Sequence, residues 1–176
     1  MDDPKLTELR GLVGQHEKLV CEAVKAGKVT DLPHESQLYA QAIQEHMHLK
    51  HVHNALEIAD LREGAPYEIR VGGDTVSPLA HLATHAAVKG QIEQDPLARA
   101  AFEKIVATGT SAHHAEYVLI AVLLELLWEG DQTVKAGSDT AKAQSIYNHK
   151  LEELNRNSAF RRKLTRRFSA DHFVFE

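Results

Sequence analysis

One cysteine, Cys21, stands in 176 residues. Neither an intrachain disulfide nor a cysteine zinc knuckle can be built from it, and a reducing cytoplasm is the expected setting. Positive charge is not in excess either: 20 Lys and Arg face 25 Asp and Glu, for a net charge of −5. That balance gives no global attraction to nucleic acid or to an anionic membrane. No apolar run approaches the roughly 20 residues that span a bilayer. The opening M-D-D-P-K lacks a basic region followed by an apolar one, so neither a membrane span nor export by a signal peptide is expected. Strand signals are almost missing, and no repeat of solenoid length is visible.

What is present is an apolar content of 43%, enough for one compact core, and dense helix punctuation. Asp2 or Asp3 with Pro4 opens a first helix and Gly27 closes it. Asp31-Leu32-Pro33 opens a second that runs to about Leu61. The stretch from Arg62 to Val76 reads as loop with a short extended piece at Tyr67 to Val71, and V71-G-G-D74 reads as a turn. Ser77-Pro78, Asp95-Pro96 and Thr110-Ser111 start the next three, which end near Gln94, Gly109 and Gly130. A sixth begins near Thr140 and breaks at Asn157-Ser158, leaving a basic helix. The pattern predicts an all-α antiparallel bundle of about five to six helices over residues 1–132. Residues 133–176 form a basic helical extension that packs on the bundle or docks a partner.

Twelve histidines are present, eight of them between His46 and His114. Tracing apolar seams in steps of three and four gives their directions. His81, His85, Val88 and Ile92 share one stripe; His113, Tyr117, Ile120, Leu124 and Leu127 share another, with Glu116 flanking it. In the second helix the seam is Leu38, Ala42, Glu45, Leu49 and Val52, with His46 and His53 beside it. His16 lies on the seam of the first helix between Val13 and Val20 and is expected as a satisfied core histidine. A buried imidazole loses hydration and needs partners for its ring nitrogens, which a cation supplies. His81 and His85 at i, i+4 can aim two nitrogens at one centre. His113 with Glu116 at i, i+3 adds a nitrogen and a carboxylate from another helix, as bundle metal sites do. Imidazole and carboxylate without thiolate suit Zn, Fe, Mn or Ni. Against this stands the commonness of H-x-x-x-H, the capping role open to His113 and the macrodipole role open to Glu116. Convergence from several helices favours the metal. His48 and His51 are expected to be solvated, and Glu125, about 120° around from His113, to pair with an arginine.

The segments S77-P-L-A-H-L-A-T-H85, R99-A-A-F-E-K-I, H113-H-A-E116 and L123-L-E-L-L-W-E129, with C21-E-A-V and I43-Q-E-H46 upstream, resemble the bacterial family known as domain of unknown function 1841. The resemblance covers roughly residues 15–132. It implies special roles for His46, His81, His85, His113, Glu116 and Glu125. Tyr117 and Lys50 stand where the family has histidine, with His51 and His53 close to the second as substitutes. The family carries no activity to import.

Two functions follow. One is a metal-binding bundle with His46, His53, His81, His85, His113 and Glu116 around a divalent ion, acting as a hydrolase or on oxygen or peroxide; whether it is an enzyme stays open. The other is a non-catalytic interaction protein. Lys150, Arg156, Arg161, Arg162, Lys163, Arg166 and Arg167 surround the stripe Phe160, Leu164, Phe168, which could bind RNA through segment 156–167, an acidic partner, or a second copy in a homo-oligomer. Packing within the protein itself is favoured over nucleic acid, because apolar residues at i, i+4 usually enter a core.

Overall fold

The computed structural model describes residues 16–48, 50–57, 69–71, 74–134 and 140–168. Helix α1 includes residues 16–26 and is followed by α2 (His34–His46), α3 (Lys50–Glu57), strands β1 (Ile69–Val71) and β2 (Asp74–Val76), then α4 (Pro78–Gln94). After these come α5 (Pro96–Val106), α6 (Ala112–Val134), α7 (Thr140–Arg156) and α8 (Ser158–Phe168). The fold is all-α apart from the small hairpin, in which β1 pairs antiparallel with β2 in the register Ile69↔Val76, Arg70↔Thr75, Val71↔Asp74. Among the described residues no helix is long and apolar enough to cross a membrane.

The helix starts follow their caps. The Ser77 hydroxyl accepts from Ala80 N, the Asp95 carboxylate from Leu97 N, and the Ser111 hydroxyl from His114 N, satisfying backbone donors that the first turn leaves over. Asn157 does the same for α8, its side chain accepting from the backbone of both Ala159 and Phe160 at 3.0 Å. Gly27 closes α1 in the left-handed conformation at φ 67°, with Lys28 N bonded back to Ala23 O.

Two boundaries differ from the sequence reading. The helix expected to run from residue 33 to 61 is two helices, interrupted after His46 with no glycine or proline to mark the break. The helix expected to end at Gly130 continues to Val134. A single interior glycine costs about 1 kcal/mol, too little to stop a long apolar helix. The extended piece was expected from Tyr67; Ile69–Val71 is strand, and residues 67 and 68 lie outside the described set.

The chain divides into two compact units at Ala87/Val88, inside α4. In the first unit, Val20, Cys21, Tyr39, Ala40, Ala42, Ile43, Val52, Ala55, Leu79 and Leu82 form one core. In the second, α5 packs on α6 and α7, and α8 on α6 and α7. Ala98, Ala101 and Ile105 form the stripe of α5 that meets Leu151 and Leu154 of α7, and Leu164 brings α8 into the same core with Phe160 packed beside it. Between Ala115 and Ile120 every residue of α6 is buried, Glu116 included. Leu124, assigned to the seam from the sequence, is instead 38% exposed.

Candidate metal centre

In the first unit, α2 and α4 bring three imidazoles together. The Ser77 cap starts α4, and the i, i+4 pair His81 and His85 falls on its buried face beside Leu82. His46 is the last residue of α2 and is 1% exposed. The sequence pattern places it beside a seam running through Glu45. In the structure Glu45 is exposed, and the buried face runs through Tyr39, Ala42, Ile43 and His46 itself.

The rings are close. His46 and His85 have centroids 4.5 Å apart, His81 and His85 4.7 Å, and His46 and His81 5.2 Å, the last two pairs nearly edge to face. Each offers a nitrogen, and the three nitrogens lie within 4.8 Å of one another. In tetrahedral zinc coordination, nitrogens at about 2.0–2.1 Å from the ion are about 3.3 Å apart. Each pair therefore needs to close by at most about 1.5 Å, within reach of side-chain torsions.

One ring is already oriented. His46 Nδ1 lies 2.7 Å from the carbonyl of Ala42, which can only accept, so Nδ1 carries the proton and Nε2 is the nitrogen that can serve as a ligand. Metal-binding histidines use this arrangement, the second nitrogen donating to a carbonyl to fix tautomer and direction. These buried histidines could hold a metal ion.

The other residues singled out by sequence sit as follows. His53 is exposed on α3. It shares a face with His46 only in an unbroken helix, and the interruption after His46 removes that phase relation. His16 is exposed as well, not a core residue, and its Nε2 is 2.9 Å from the hydroxyl of buried Ser36. In the second unit His113 is half-buried at the start of α6, edge-on to Tyr117 with centroids 4.9 Å apart. Glu116 is buried, and its Oε1 receives a 2.8 Å ion pair from Lys89 of α4. Burial, and then the charge of Glu116, push the Tyr117 hydroxyl up to about 12. Lys89 was missed from the sequence, where A-A-V-K-G gave no sign that its ammonium would be drawn to a buried carboxylate. The side chain of Glu125 lies outside the described residues.

A family model described as Domain of unknown function (DUF1841) matches residues 16–148, which takes in all the histidines and glutamates above and extends into α7. No curated protein and no solved structure matches the chain.

Proposed function

Since the chain belongs to the family described as domain of unknown function (DUF1841), its chemistry has to come from its own residues, and we propose that it binds a divalent transition metal through His46, His81 and His85. The observation that carries this is the meeting of three buried imidazole nitrogens within 4.8 Å. Three neutral nitrogen donors without thiolate suit Zn, Fe, Mn or Ni. Three protein ligands also leave a coordination position over, the arrangement of catalytic zinc sites, in which the pKa of a bound water falls to near neutrality. The activity this favours is hydrolysis; oxygen or peroxide chemistry is the alternative if the ion is iron or manganese.

The wider ligand set, with His53, His113 and Glu116, rests on sequence pattern. His113→Ala and Glu116→Gln test it by their effect on the number of metal equivalents bound. The primary experiment is elemental analysis of the untagged protein. About one equivalent of a transition metal per chain is expected, falling sharply in His85→Ala. Metal-free protein that takes up none of the four ions on dialysis would overturn the proposal.

The interaction reading has less support. Leu164 is buried in the core of the second unit and Phe160 is packed against it, so these members of the α8 apolar stripe are occupied within the chain.

A further inference from the structure

The second unit contains a cleft of about 430 Å³ lined by Thr108, Thr110, Ser158, Arg161, Arg162, Thr165 and Arg166. Three guanidinium groups and four hydroxyls line it, with no carboxylate among the described lining residues. We propose that this cleft binds a small molecule carrying a phosphomonoester or diphosphate group.

The lining arises from two local features. On α8, positions 158, 161, 165 follow one another at steps of three and four, with 162 and 166 alongside, so a single face carries all the residues that α8 contributes. Leu164 enters the core from the same helix and fixes that face outward. Opposite stands the connection between α5 and α6. Gly109 takes φ 88°, a left-handed conformation that other residues rarely adopt, and so turns the chain between two threonines. The Thr108 hydroxyl donates to Ile105 O at 2.6 Å and lies 3.1 Å from Thr110 Oγ1, which holds the turn in shape.

The donors are arranged for an anion. Arg161 is anchored at one end, its Nη1 donating to Leu154 O at 2.5 Å. Its Nε and the Thr165 hydroxyl are both shielded from solvent and have no hydrogen-bond partner among the described residues. Buried polar groups of this kind are ordinarily satisfied, and an anion seated in the cleft would bring acceptor oxygens beside them. Guanidinium groups match phosphate geometry with paired N–H donors, and hydroxyls supply further ones. The chain carries a net charge of −5, so the attraction is local to the cleft and does not extend to polyanions at long range. Volume decides the size class. Small-molecule sites run from about 300 to 1,000 Å³, and an inorganic phosphate would fill only part of this one.

The test is calorimetric titration of the full chain with inorganic phosphate, with pyrophosphate and with a mixed-sequence single-stranded RNA. Pyrophosphate is expected to bind more tightly than phosphate. Arg162→Gln with Arg166→Gln, both on exposed residues, should weaken pyrophosphate binding roughly a hundredfold, about tenfold for each charged hydrogen-bonding group. Should that double variant lose its fold, Thr165→Val decides, since it keeps the side-chain shape and removes one hydroxyl; weaker binding at unchanged melting temperature supports the site. Unchanged affinity in the folded double variant, no heat with either phosphate, or binding of RNA alone would each overturn the proposal.

Discussion

Replacement of His85 by alanine is the sharpest perturbation of the proposed metal centre. The ring is fully buried and its centroid lies within 5 Å of those of both other imidazoles, so its loss removes one donor from the middle of the set. Ligand that binds only the folded state stabilises it by RT ln(1 + [L]/Kd), about 4 kcal/mol at a thousandfold excess over Kd. For a chain of this size 1 kcal/mol moves Tm by about 2–4 °C, so the wild type should gain roughly 8–16 °C on adding metal. Disturbing a supporting group of a metal ligand already weakens affinity about 10–100-fold. Taking the upper figure as a floor for removing a ligand itself, the same metal concentration is only about tenfold over Kd, and stabilisation falls to about 1.4 kcal/mol. The assay is thermal denaturation followed by circular dichroism, on untagged protein stripped by chelator and then titrated with zinc or nickel. The quantity compared is the metal-induced shift, which separates ligand loss from any change in the metal-free baseline. His46→Ala should behave as His85→Ala does. Equal shifts in wild type and both variants would refute the three-imidazole site, and an unchanged shift in His53→Ala would remove His53 from the wider set.

Leu154→Ala empties a fully buried position between α7 and α5 and should cost about 2–5 kcal/mol, read as a lower urea midpoint at unchanged slope. Lys89→Met leaves the buried Glu116 charge without the ammonium at 2.8 Å and should cost about 3–5 kcal/mol, whereas Lys89→Met with Glu116→Leu should recover most of it. The same cycle showing simple additivity would mean that the pair is not coupled. At alkaline pH the tyrosines govern. Burial, with lesser help from Glu116 and Asp95 respectively, raises Tyr117 and Tyr147 to about 12, while an unfolded tyrosine titrates near 10. The unfolded chain therefore loses protons first, so their contribution is complete below pH 10 and is lost as pH rises from 10 through 12. Parallel unfolding and tyrosinate absorbance curves check this; stability flat across that window would contradict it.

Helix starts are legible because capping is local: Ser77, Asp95, Ser111 and Asn157 act on donors two or three residues away. The pair on α4 is legible because His81 and His85 share a helical stripe with the buried Val88. The direction of His53 was not legible, because it depends on phase carried past His46, where the helix is interrupted without a recognisable breaker. Gly130 misled in the opposite sense, as a stop signal overridden by the apolar helix around it. The partnership of Lys89 with Glu116 spans 27 residues of sequence and depends on packing between α4 and α6, to which no local pattern gives access. The arginine cleft had half its signature in view: R161-R-K-L-T-R was conspicuous, but Thr108 and Thr110 gain meaning only when the α5–α6 turn is brought opposite α8.

The junction between α7 and α8 is one residue long, and Asn157 both follows the first helix and caps the second. So short a join acts as a phase key. Each residue of an α-helix turns the next by about 100°, so inserting or deleting one at position 157 would rotate α8 by that amount relative to its present face. Leu164 would swing out of the core and the arginines away from the Thr108–Thr110 turn in a single step. Change in chain length is therefore far less tolerable here than change in side chain: aspartate or serine could cap in place of Asn157, but no neighbour could restore the angle.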